Sequence, residues 1–213
     1  MTEPQGAQGP IRVAAQEDLK AVGDLVAAAF YHEPVTSWLI PDPQDRHERG
    51  RRLFTQITQD VLDAGTVYVY GDYEGAALWM DMTSASDEGE ESSGPSPYDE
   101  IMGPCSPRWN AFLRLVEAGH PQDPHHYLFI TGVLPHLQGR GIGGLMLDHH
   151  HSQMPEGTPA YLEATSADSR RLYARHAYGD LDGEPLVLPD DGPPIWPMWR
   201  TPGTGGPAGP APL

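Results

Sequence analysis

Apolar positions recur with two periods along the chain. Leu19, Val22, Leu25, Val26 and Ala29 follow the 3.6-residue period of an amphipathic helix, which Pro34 brings to an end. A second helix is predicted over 46–64. Its apolar side is Leu53, Phe54, Ile57, Val61 and Leu62, and Gly65 stands where a helix C-terminus favours positive φ. Ser106-Pro107 opens a third helix with Trp109, Phe112, Leu113 and Val116 on one face, closed by Gly119. Strand signals fall at 11–14, at 66–70 and 76–82 as a hairpin, at 126–135, and at 160–164. Helices over 145–153 and 169–176 follow, then a closing strand pair over 178–188 and 195–200. A strand–helix–strand crossover needs a parallel pair inside this hairpin-rich order. The pattern therefore predicts one mixed α/β domain over 10–200, a sheet of about six to seven strands flanked by helices.

Composition narrows the function. The chain has 213 residues, with 24 Gly and 23 Pro. Residues 1–9 and 201–213 hold almost nothing to bury and are expected to be disordered tails. Thirteen basic residues against thirty acidic ones give a net charge of −17. Phosphate backbones and anionic membrane surfaces are poor partners for such a surface, whereas a cationic small molecule is welcome. Cys105 is the single cysteine, so neither an intramolecular disulfide nor a cysteine metal cage is expected. There is no basic–apolar leader pattern and no apolar run long enough for a membrane helix, which points to a cytoplasmic protein. From Leu53 to Pro107 there are eleven acids and no Lys or Arg. Within it, 83–105 is expected to be an acidic mobile loop, and this side is expected to attract a cationic amine, with Asp87, Glu88, Glu90 and Glu91 closing over it.

The sharpest motif is Gln138-Gly139-Arg140-Gly141-Ile142-Gly143-Gly144. Glycines between a strand and a helix leave backbone N–H groups bare at a helix N-terminus, where they cradle phosphate. A dinucleotide fingerprint, with Glu163 as the ribose acid, fits the glycine spacing. It fails because Pro135–Gln138 separate the strand from the loop and too little chain remains for a parallel sheet. A loop that is glycine-rich only for tight packing would not need four glycines in six residues. Asp148-His149-His150-His151 suggests a metal, but successive helical residues point about 100° apart and cannot converge on one ion, so a solvated helix is expected there.

Gln138, Gly141 and Gly143 fit the acetyl-CoA loop Q/R-x-x-G-x-G/A. With YLFITGVLPHLQGRGIGG, PAYLEATSADSRRLYARHAY and PPIWPMWR in order, the chain resembles the GNAT superfamily of N-acetyltransferases, and within it the puromycin N-acetyltransferases and their actinobacterial relatives. The resemblance implies direct attack of an amine on acetyl-CoA, a co-substrate lying across a splayed central pair of parallel strands. It implies that Val133 and Leu134 supply backbone groups, one N–H of which serves the developing oxyanion. Gln138, Gly139, Arg140, Gly141, Ile142, Gly143 and Gly144 would hold the pyrophosphate. Arg170, Arg171 and Arg175 would add positive charge beside it. Tyr173 occupies the family's position for the general acid; a phenol near pKa ~10 stays protonated at neutral pH. Glu163 is a candidate base or amine-orienting residue, with His125 and His126 behind it, though exposed loop histidines are the more ordinary reading. Ser169 replaces a frequent Asn as a cofactor contact, and His176-Ala177-Tyr178 replaces the usual Leu-Gly-Phe. The implied activity is acetyl transfer to a small cationic amine, in antibiotic resistance of the aminonucleoside type or in secondary metabolism. The alternative is an inactive acyl-CoA-binding or ligand-sensing module of the same fold.

Overall fold

The protein is described by a computed structural model covering residues 10–83, 96–181 and 183–201. The expected tails, apart from Thr201, lie outside the described residues, as do the acids Asp87 to Glu91. The elements are β1 Ile11–Val13, α1 Leu19–Phe30, α2 Pro34–Leu39, α3 Pro43–Ala64, β2 Thr66–Tyr70, β3 Gly75–Met82, α4 Pro97–Met102 and α5 Ser106–Gly119. Then come β4 His125–Val133, α6 Ile142–His151, β5 Ala160–Ala164, α7 Ala167–Arg175, β6 Tyr178–Asp180, β7 Leu186–Val187 and β8 Pro194–Arg200. The sheet runs β1-β2-β3-β4-β5-β8-β6, with β7 on β8. Among the described residues only β4 and β5 pair in parallel; the other pairs are antiparallel. The mixed α/β expectation holds, with eight strands once the two-residue β7 is included.

Strand alternation divides the core between two helix layers. Val67 and Val69 of β2 face a core shared with Val22, Leu53 and Ile57 of α1 and α3. Tyr68 and Tyr70 face the other, shared with Met146, Leu147 and Tyr173 of α6 and α7.

Local chemistry explains where the elements differ from the pattern. α3 starts at Pro43, ahead of 46, because Asp42 caps it: its carboxylate accepts from the amides of Gln44 and Asp45 at 2.9 Å each. α4 replaces part of the loop expected over 83–105. Ser96 caps it, Pro97 opens it, Tyr98 stacks on Trp109 at 5.2 Å, and Ile101 and Met102 are buried. The pair expected over 178–188 and 195–200 is divided, β6 and β7 pairing with opposite ends of β8.

The histidines of α6 are not solvated as expected. His150 is 6% exposed, stacks on Trp79 at 3.8 Å and approaches His126 Nδ1 at 3.0 Å. His151 Nε2 lies 2.9 Å from the Tyr178 hydroxyl. One helical turn after Met146 and Leu147, both residues fall on the side turned to the sheet. Among the described residues no cluster of three groups could hold a metal ion, and no helix is long and apolar enough to cross a membrane.

Candidate active site

The site begins where the parallel pair ends. β4 and β5 are in register only from His126 opposite Ala160 to Leu128 opposite Leu162. At the next residue, Phe129, β4 carries a bulge against β3, since Leu78 pairs with Ile130 and Trp79 with Leu128. Beyond it the two strands part. The Leu134 amide donates to Glu74 O at 3.0 Å, so the antiparallel alternation turns the amides of Thr131 and Val133 away from β3 toward the gap. Of the two residues expected to offer an N–H, Val133 does so. Leu134 does not: its amide is taken and its side chain packs on the α1–α3 core.

After the short turn Pro135–Leu137, the chain enters α6 through Gly139 and Gly141 at φ of +75° and +86°. A side chain there would be strained, while nothing lies within 4 Å to block one. The Val133 carbonyl accepts from Gln138 Nε2 at 3.1 Å, which folds the loop back on the strand end. With Gly141 as N-cap, the amides of Ile142, Gly143 and Gly144 lack intrahelical acceptors and face outward. The last two glycines also serve packing. A Cβ at Gly144 would stand 2.8 Å from His176 Nε2, and one at Gly143 would stand 3.2 Å from Leu172, so they let α7 lie close to α6.

These elements wall a cleft of about 570 Å³. Val133, Gln138, Gly139, Gly141, Ile142, Gly143 and Gly144 line it, together with Ser169 and Tyr173. Arg140 is exposed and outside it. Arg171 and Arg175 reach the cleft, but Arg170 does not: it pairs with Asp180 and lies over the Trp196 ring. The Ser169 hydroxyl closes the N-terminus of α7, donating to Ser166 O at 3.0 Å and accepting from the Ser166 amide at 3.2 Å. Bare amides with two arginines beside them fit the phosphates of coenzyme A.

Tyr173 is 6% exposed at the inner end of the cleft. Burial raises its phenol above its ordinary range, and the charges of Glu33 and Glu163 raise it further. It is therefore a protonated phenol within electrostatic reach of two carboxylates. Glu163, on β5, is held by one oxygen: Tyr127 donates to Oε2 at 2.7 Å. Its other oxygen is buried without a hydrogen bond, with His120 Nδ1 at 3.8 Å, and the side chain is 8% exposed. Glu33 is the residue the sequence reading missed. It caps α2, accepting the Thr36 amide on Oε2 at 3.0 Å, while Oε1 is buried and makes no hydrogen bond. Burial raises its carboxyl, and the amides and side chains of the α2 start, with Thr165, oppose that. Glu-Pro after a helix signals a cap, but no spacing ties Glu33 to Glu163.

Both carboxylates line a second, smaller cavity of about 120 Å³ between α3, α5 and the sheet. Phe30, Glu33 and Thr165 belong to cavity and cleft alike, so the two meet there. The histidines at the start of β4 are elsewhere. His125 is 1% exposed, with Nδ1 2.6 Å from Asp123 O, and His126 packs on His150. Neither lines the cleft or the cavity, and neither is the exposed loop residue expected.

No family model matches the chain. Among solved structures, it is similar to one described as histone acetyltransferase HPA2 and related acetyltransferase from Corynebacterium glutamicum. The TM-score is 0.67 at 27% identity, over 93% of this chain and 99% of that one. Arylalkylamine N-acetyltransferase 2 of Aedes aegypti matches at TM-score 0.60 and 14% identity, over 90% and 98%. A polyamine N-acetyltransferase of Drosophila melanogaster that forms N-acetylagmatine matches at 0.58 and 16%, over 91% and 100%. The fold of the chain is that of the GNAT N-acetyltransferases.

Proposed function

We propose that the protein is an acetyl-CoA-dependent N-acetyltransferase that acetylates a small amine by direct attack. One observation carries this: the glycine cradle, Tyr173 and Glu33 line one cleft beside the parting parallel strands, and Glu33 and Glu163 line the cavity that meets it. The similar structures include enzymes named for arylalkylamines, agmatine and polyamines, in line with an amine acceptor. The likeness to puromycin-type acetyltransferases rests on the three sequence motifs, which concern the cofactor side and Tyr173 and leave the acceptor to be set by the cavity.

Acetyl-CoA supplies the acetyl group as an activated thioester. The amides of Ile142, Gly143 and Gly144, with Arg171 and Arg175, hold its phosphates, and the Val133 amide faces the gap. Glu33, which borders both cleft and cavity, accepts the proton of the incoming ammonium; Glu163, which borders the cavity alone, orients it. The nitrogen bonds to the acetyl carbon, the carbon–sulfur bond breaks as the Tyr173 phenol gives its proton to the sulfur, and the second proton leaving the nitrogen restores the phenol.

Acetyl-CoA is expected to raise the melting temperature, since a ligand at 100 times its Kd stabilises by about 2.7 kcal/mol. Gly141→Asp keeps a residue type that tolerates positive φ but sets a carboxylate at the phosphate cradle. Its shift with acetyl-CoA should vanish in differential scanning fluorimetry; a wild-type shift would refute the cradle.

The pH profile tests the carboxylate. Because Glu33 must be ionised to accept a proton and burial raises its pKa, kcat/KM should climb with pH through a point above the usual carboxylate range. Glu33→Gln should remove that rising limb and lower kcat. A limb left in place would assign it to another group.

A further inference from the structure

We propose that the acceptor is a monoamine on a compact, ring-sized apolar body, seated in the cavity between α3, α5 and the sheet with its nitrogen between Glu33 and Glu163. This rests on the acetyltransferase reading and specifies its substrate class.

Size and lining come first. The cavity is about 120 Å³, and its walls are the side chains of Leu53, Phe54 and Ile57 from α3 and Trp109 and Phe112 from α5. Apolar cavities of about 150 Å³ take a single benzene ring. Two of the large hydrophobic side chains left exposed among the described residues, Leu113 at 40% and Phe129 at 38%, also stand on its wall. They surround the cavity with apolar surface that a nonpolar body would cover.

Charge fixes the orientation. Among the described residues, Glu33 and Glu163 are the only acids lining this cavity, and no Lys or Arg lines it. Each is fixed through one oxygen, by the Thr36 amide and the Tyr127 hydroxyl, and each keeps the other oxygen buried without a hydrogen bond. The free oxygen of Glu163 has only His120 Nδ1 near it, at 3.8 Å, and both free oxygens suit the N–H groups of one ammonium. Glu33 borders the cleft as well, so that nitrogen lies on the cleft side and the rest of the molecule extends among hydrocarbon. A second ammonium or a guanidinium at the far end would be desolvated with no carboxylate to meet it.

The test compares 2-phenylethylamine with agmatine as acceptors, by thiol release from acetyl-CoA with the full chain. The kcat/KM for 2-phenylethylamine should exceed that for agmatine by about 100-fold or more, the cost of stranding a cation in an apolar pocket. Leu113→Asp, a substitution at a partly exposed position, sets a carboxylate on the α5 wall of the cavity. It should cut that ratio at least about tenfold, mostly through a lower KM for agmatine. Equal or better use of agmatine by the wild type overturns the substrate class and leaves the transferase reading standing. A preference for 2-phenylethylamine that Leu113→Asp does not alter overturns the placement in this cavity. Transfer to neither amine nor to any of a wider panel, with acetyl-CoA still bound, overturns the transferase reading itself.

Discussion

Tyr173→Phe is expected to keep acetyl-CoA affinity and lose roughly 10²–10⁴-fold in turnover, the range typical of removing a general acid. Phenylalanine keeps the ring that packs in the α6–α7 core and within 6.0 Å of Tyr178, so the fold and the cleft wall survive. The lost hydroxyl has its pKa raised by burial and by the charges of Glu33 and Glu163. A phenol with a raised pKa is a weaker acid in the ground state, but it stays loaded at every working pH. Its proton moves only when the sulfur becomes a basic thiolate. Single-turnover rates with saturating acetyl-CoA isolate that step, and an unchanged rate would remove Tyr173 from the chemistry. The effect should appear in kcat, because the phenol acts on the leaving group and not on the free amine.

Residues that follow from local patterns were legible before the structure. Thr66–Tyr70 and Ala160–Ala164 stand where alternation and β-branching set them, and the glycine loop lies between a strand and a helix as its N–H chemistry requires. What depends on pairing across the chain was not. Leu134 was expected to share the N–H role with Val133, and only the Glu74 contact in the β3 register decides between them. Arg170 was grouped with its neighbours by sequence proximity, while the turn into β6 brings it Asp180 instead. Glu33 is a catalytic candidate only because α2 folds its cap against the gap below β5. For the α6 histidines, helical spacing shows that they cannot share an ion. Whether Trp79 and Tyr178 would cover them was a question of tertiary packing.

Those covered histidines should make the fold labile in mild acid. His150 is pushed down to about 3, first by burial and then by the neighbouring His126, His151 and His149. His151 is pushed down to about 3 by burial and by the charges of Arg200 and His176. In the unfolded chain each takes up a proton near pH 6.5, but in the folded chain not until about pH 3. Between those values the unfolded state binds more protons, so stability falls as pH falls. At about 1.4 kcal/mol per pH unit, His150 alone costs about 2 kcal/mol by pH 5, and the less buried His151 adds a smaller amount. Carboxylates with depressed pKa values, such as Asp81 and Asp180, act lower, losing their contribution only near and below their ordinary value of 3.8. Glu33, raised from 4.5, has the opposite sign, because the folded chain takes up its proton first. Histidine therefore governs the window from about pH 6.5 to 5. Urea denaturation across that window should show the unfolding free energy dropping toward lower pH with a slope of at least one proton, His125 and His126 adding the same sign because burial lowers both. His150→Phe keeps a ring against Trp79 and removes one titrating group, so its slope should be shallower by nearly one proton. A wild-type free energy that is flat from pH 7 to 5 would mean that these imidazoles accept protons in place, with the sheet and α6 moving apart to let water in.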